Sequence, residues 1–188
     1  MRSEELLRAL RPICVLILAI WIIEVINLLM GHRLNIWFGL QPRSISGLVG
    51  VPLMPLLHGG VGHLAANTLP LGLLGVIGLI VAPKRFFQAS VLIVLVSGLA
   101  VWALARNGTV VGASGLIFGW FGFLVTLGVI ERSTRAIAGA AVVIIVYGGM
   151  IWGVLPQDNV RVSWEAHLFG AIAGAVIARV MQMKQPGD

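Results

Sequence analysis

The stretch that decides the fold is VVGASGLIFGWFGFLVTLGVI, residues 110–130, which holds no charged side chain. A helix crossing a hydrocarbon core of about 30 Å needs about 20 mainly apolar residues, and this run supplies them. Four more runs do the same, at 12–30, 64–81, 86–105 and 136–155, and Glu24 is the only charge inside any of the five. A sixth, 166–178, lies between Glu165 and Arg179. Arg179 can snorkel to the interface, so residues 180–183 extend that span. The pattern predicts an all-α, polytopic membrane protein. One six-helix bundle covers 1–188, with helices at about 12–30, 60–81, 86–105, 113–130, 136–155 and 164–183.

Composition agrees. The 188 residues are 59% hydrophobic and 11% charged, whereas soluble domains run at roughly 45–50% and about 25%. That excludes an ordinary soluble enzyme, and also a disordered chain, which needs low hydrophobicity and high charge. The single cysteine, Cys14, can form neither an intramolecular disulfide nor a thiolate metal cage. It reads as a small apolar filler. The net charge of +6 comes from basic residues scattered in ones and twos between apolar runs. Membrane proteins distribute charge this way, so the bilayer is the expected partner and nucleic acid is not. After the first run come Gly31, His32 and Arg33 rather than a small-x-small site, so no cleaved leader is expected.

Basic residues also set an orientation. With both termini cytoplasmic, the inner side holds Arg2, Arg8, Arg11, Lys84, Arg85, Arg132, Arg135, Arg179 and Lys184. The outer side holds Arg33, Arg43, Arg106 and Arg161. The excess lies inside, as the positive-inside rule requires. The connection at 31–59 is long for a compact domain and too apolar for a free loop. It is expected to lie partly submerged at the outer face as short helices and turns.

In this topology the second, fourth and sixth helices all start near the outer face. Their N-terminal ends carry His63 and Asn67, then Ser114, then His167. From Ser114 to Ile130 a helix rises about 25 Å at ~1.5 Å per residue, which puts Ser114 roughly 5 Å below the outer boundary of the core. Gly112 and Gly115 flank the serine closely, where glycine admits other backbone or a substrate. Gly115 and Gly119 share a spacing with Gly170 and Gly174 that permits close helix contact. If those faces meet, Ser114 and His167 come within reach. A serine hydroxyl becomes a nucleophile when an imidazole takes its proton. Asn67 and His63, four residues apart on one helical face, could supply an oxyanion hole with the Ser114 amide. The outer carboxylates are Asp158 and Glu165, and Glu165, two residues before His167, faces away from it. A Ser–His dyad is therefore expected rather than a triad.

Each residue also has a plainer reading. Serines in membrane helices commonly bond back to their own backbone, and GxSG alone is a weak signal without a strand–turn–helix context. His63 could be interfacial, His167 a satisfied core histidine, and the glycine pairs packing faces that serve a site. Glu24 reads as a structural pairing with Asn27 or the long loop. His58 either faces solvent or holds the loop to the second helix. A metal site at His58, His63 and His167 is disfavoured by the spacing of five, and neither metal nor cofactor is expected. A small transporter would carry polar residues on to the inner face, but Gln88 lies at the inner end and Ser97 and Thr126 stand alone. What lifts the dyad is the residue set that acyl transfer needs, at one depth, on three helices.

These residues resemble the rhomboid family of intramembrane serine proteases. The segment from His58 through His63 to Asn67 is similar to the family's second-helix motif, Gly112–Gly115 to its GxSG, and His167 with Gly170 and Gly174 to its HxxGxxxG. The order of motifs and the helix count agree over nearly the whole chain. The resemblance implies Ser114 as nucleophile, His167 as general base, and His63, Asn67 and the Ser114 amide as the oxyanion hole. It implies that transmembrane segments of other proteins are cleaved near the outer face, entering past a gate formed by the fifth helix and the cap before the sixth. It implies a membrane-embedded loop at 31–59 and, for a six-helix core without a seventh helix or added cytoplasmic domain, a prokaryotic plasma membrane. No oligomeric state follows from it. Two departures stand out. Many members carry Trp-Arg in the first loop, where this chain has Trp37-Phe38 and a later Arg43. Several carry tyrosine at the position of Phe118, which keeps the stacking surface without the hydroxyl. The alternative is a non-catalytic relative that binds or escorts membrane proteins, which would be signalled by loss of Ser114 or His167. Both are present.

Overall fold

The computed structural model describes residues 3–156 and 162–183, with side chains from Leu10 onward. Arg2, Asp158, Arg161 and Lys184 lie outside the described residues. The long elements are α1 (Ser3–Leu29), α4 (Val61–Val81), α5 (Phe86–Leu104), α6 (Ser114–Glu131), α7 (Thr134–Tyr147) and α8 (Trp164–Met183); the first loop adds short α2 (Arg33–Phe38) and α3 (Gly50–Leu53). Among the described residues six stretches are long and apolar enough to cross a membrane: Leu10–Leu29, Val61–Val81, Phe86–Leu104, Ser114–Glu131, Thr134–Val154 and Trp164–Met183.

The decisive stretch becomes the central helix. α6 packs most extensively on α8 and also touches α7, α4 and α5, while α1 stands against α4. Its Ile117, Phe123, Leu124 and Leu127 are buried with Leu71 and Leu74 of α4, Ile93 of α5 and Val143 of α7. Glycine makes the α6–α8 approach possible. A Cβ on Gly170 would run into the Gly115 carbonyl, and one on Gly174 into the Gly119 carbonyl. The two small faces therefore meet backbone to backbone, which a bilayer favours because lipid offers no hydrophobic drive between helices. At the far end Arg85 pairs with Glu131 and donates to Gln182, tying the α4–α5 turn to the ends of α6 and α8.

Three details differ from the sequence reading. α1 runs through Pro12, a residue that membrane helices tolerate. The fifth span is α-helical only to Tyr147 and continues as a 3₁₀ turn, Gly148–Val154. Gly148-Gly149 weakens the α-helix there, and the tighter turn is the usual way a helix end relaxes. Cys14 is exposed on α1 rather than filling a gap.

The first loop folds as expected into short helical pieces. Leu40, Val51, Met54 and Leu57 are buried, and Leu40 forms a two-way backbone bridge with Val110 at 3.0 and 2.8 Å. Asn27 at the end of α1 is the loop's polar anchor. Its amide nitrogen shares two hydrogens among Glu24 (3.3 Å), Asn35 (3.0 Å) and the His58 carbonyl (3.3 Å), and its oxygen accepts from the Leu34 N–H. Glu24, Asn27 and His58 are all buried, so these bonds offset desolvation that would otherwise oppose folding.

Candidate active site

Ser114 is the first residue of α6, and His167 sits in the first turn of α8. The glycine-mediated contact between those helices brings the His167 Nε2 to 2.9 Å from the Ser114 Oγ. The other ring nitrogen, Nδ1, lies 2.9 Å from the Gly153 carbonyl oxygen. A carbonyl oxygen only accepts, so Nδ1 carries the ring proton and Nε2 offers its lone pair to the serine hydroxyl. A backbone carbonyl of the 3₁₀ turn thus does the orienting for which triads use a carboxylate. Phe118, one turn after Ser114, stacks flat on the imidazole with centroids 4.2 Å apart and planes 8° apart.

His63 and Asn67 come from the first two turns of α4. The His63 ring lies against Gly112: a Cβ there would sit 2.6 Å from its Cε1. Gly112 has φ +122°, a conformation that only glycine adopts without strain. The Gly59 N–H points at His63 Nδ1 at 3.4 Å, which leaves Nε2 as the protonated nitrogen on the Gly112 side. Asn67 is buried and gives one amide hydrogen to the His63 carbonyl at 3.1 Å; its amide has a second to offer. Ser114, His167, Phe118, His63 and Gly112 thus gather at one end of the bundle, with Asn67 a turn deeper. Gly119, Gly170 and Gly174 lie in the packing seam beneath them.

His58 does not face solvent. It is fully buried, its ring 5.2 Å from that of His63, and its Nε2 accepts from the Ala113 N–H at 3.5 Å. Burial holds its pKa down to about 4, neighbouring His63 adds to the effect, and the Leu56 carbonyl partly opposes it. The ring therefore stays neutral near pH 7 and braces the backbone just before the serine. Among the described residues no three His, Cys, Asp or Glu side chains group as a metal ion would need.

Sequence reasoning missed several residues. Gly153 contributes only a backbone carbonyl, which no residue pattern announces. Glu165 does turn away from His167, but toward Arg106, which it meets at 3.3 Å. Two distant positions tie the first loop to the end of α5 and the connection after it. Arg43 donates to the Ala105 carbonyl and to Asn107, and the Trp102 indole donates to the Ser44 carbonyl at 2.7 Å.

Residues 46–184 match the family described as Rhomboid domain. Similar proteins come from Mycobacterium bovis and Mycobacterium tuberculosis, each 39% identical over 170 residues, which is 86% of this chain and 70% of the relative. Another, from Mycobacterium leprae, is 34% identical over 86% of this chain and 67% of its own length. All three bear names that describe them only as uncharacterized proteins. With six membrane-length helices among the described residues and a family match over most of its length, this chain is an integral, multi-pass membrane protein that belongs to the rhomboid family.

Proposed function

We propose that the chain is an intramembrane serine endopeptidase working through a Ser114–His167 dyad. The observation that carries this reading is the 2.9 Å contact from Ser114 Oγ to His167 Nε2, with Nδ1 held by the Gly153 carbonyl. Nε2 takes the serine proton as Oγ attacks a peptide carbonyl, then returns it to the leaving amine. The developing oxyanion meets the Ser114 amide, the free amide hydrogen of Asn67 and the Nε2–H of His63. An acyl-enzyme forms, and water releases it by the same steps in reverse order. The substrate is a transmembrane segment of another protein. α7, whose outward Ile144, Ile145 and Val146 are exposed, is the flank it passes. With both termini on the cytoplasmic side of a bacterial plasma membrane, the dyad lies near the outer face, where water can reach it.

A serine-directed fluorophosphonate tests this reading. Peptide mapping should find the adduct on Ser114 in the wild type and almost none in His167→Ala. An unlabelled wild type that folds normally would shift the assignment to a membrane-protein escort without catalysis.

A further inference from the structure

A second polar cluster lies at the outer rim, apart from the dyad. Glu165, two residues before His167, is 4% exposed. One carboxylate oxygen accepts from the Arg106 backbone N–H at 3.3 Å and meets the Arg106 Nε at 3.3 Å; the other accepts from the Ser163 hydroxyl at 3.3 Å. The Arg106 Nη2 donates to the Val162 carbonyl at 2.6 Å. Arg106 follows α5 and opens the connection that ends at Ser114. One ion pair therefore joins the loop that delivers the serine to the helix start that delivers the histidine.

His167 lies in the first turn of α8, where backbone N–H groups lack helical partners and ends fray. Ser163 meets part of that need, its hydroxyl and carbonyl accepting from the Ala166 N–H. A buried carboxylate stripped of its cation is costly, so the helix start must shift to hydrate it. The loop is fixed elsewhere, with Val110 bridged to Leu40 and the Gly112 N–H on the Met54 carbonyl at 2.8 Å. Motion at Glu165 then changes the Ser114–His167 separation instead of being absorbed by a slack loop.

We propose that Arg106 and Glu165 are positioning residues that set the Ser114–His167 distance by locking the α5–α6 loop to the start of α8. This rests on the dyad reading above. The test uses full-length protein in proteoliposomes, with Arg106→Gln, Glu165→Gln, their double mutant and Arg106→Lys. For each, the fluorophosphonate labelling rate of Ser114, kcat and KM on a transmembrane peptide, thermal stability, and backbone hydrogen exchange over residues 105–113 and 162–170 are measured. Each single Gln variant should lose about tenfold in labelling and kcat, with KM within twofold. The double should be no worse than either single, and Arg106→Lys should recover most of the loss. Hydrogen exchange should rise in both segments whichever partner is changed. Labelling and kcat within twofold of wild type, strictly multiplicative losses, or faster exchange confined to the mutated segment would each overturn the proposal. A wild type that neither labels nor cleaves would instead fail the protease reading, and the exchange result would still decide whether the clamp couples the two segments.

Discussion

His167 gives its Nδ1 proton to the Gly153 carbonyl at 2.9 Å, so the imidazole tautomer is set by the 3₁₀ turn that ends the fifth span. The His167 ring and the end of the fifth span are therefore directly linked. A Cβ at Gly153 would lie 2.9 Å from the Phe118 ring and 3.3 Å from His167 Nδ1. Gly153→Ala is expected to push the carbonyl off the ring and lower kcat at least tenfold while the protein still folds. Steady-state kinetics beside a melting curve check this. An unchanged kcat would mean the carbonyl is incidental.

Phe118 holds the other face of the imidazole. Aromatic stacks of this kind contribute about 0.5–1.5 kcal/mol beyond area burial. Phe118→Ala should reduce the labelling rate of Ser114 several-fold, and Phe118→Tyr should keep most of it. Equal losses in both variants would show that the stacked ring is not what sustains labelling.

The α6–α8 seam makes a prediction about stability. Because the Gly115 and Gly119 carbonyls occupy the space a Cβ would need, Gly170→Ala and Gly174→Ala should each destabilise the bundle by about 1–3 kcal/mol, the usual cost of overpacking. Gly62 is the control, since a Cβ there meets nothing within 4 Å; Gly62→Ala should be neutral or slightly stabilising. Chemical unfolding in detergent separates these cases.

His58 gives the pH dependence. In the unfolded chain an imidazole takes up its proton near 6.5, whereas in the folded protein His58 resists until about 4. Between these values the unfolded state binds more protons, so acidification favours unfolding, and above 6.5 His58 contributes no slope. The loss from neutral pH down to about 4 should be roughly 3 kcal/mol. Melting curves across this range should show it in the wild type and a clearly flatter profile in His58→Gln. Parallel profiles would place the pH sensitivity elsewhere.

Much of this arrangement was legible in the sequence for one physical reason: a bilayer penalises polar residues, so those that remain stand out. The apolar run around Ser114 marks α6, and the repeated glycine spacing at 115, 119, 170 and 174 foretells the seam that draws Ser114 to His167. Glu24 pairs with Asn27 as their spacing suggests. What stayed hidden depends on contacts that side-chain identity does not encode. Gly153 acts through its backbone. Arg43 reaches Ala105 and Asn107 far along the chain, and Glu165 finds Arg106 rather than His167. Two tryptophans bond across helices within the bundle, Trp21 to Thr68 and Trp120 to Ser90.

The most direct measurement is cleavage of a fluorogenic transmembrane peptide in proteoliposomes by wild type, Ser114→Ala and His167→Ala, with folding verified for all three. Cleavage by the wild type alone, with both variants reduced by at least a thousandfold as for a removed triad member, is the expected result. Cleavage that survives Ser114→Ala would contradict the dyad outright.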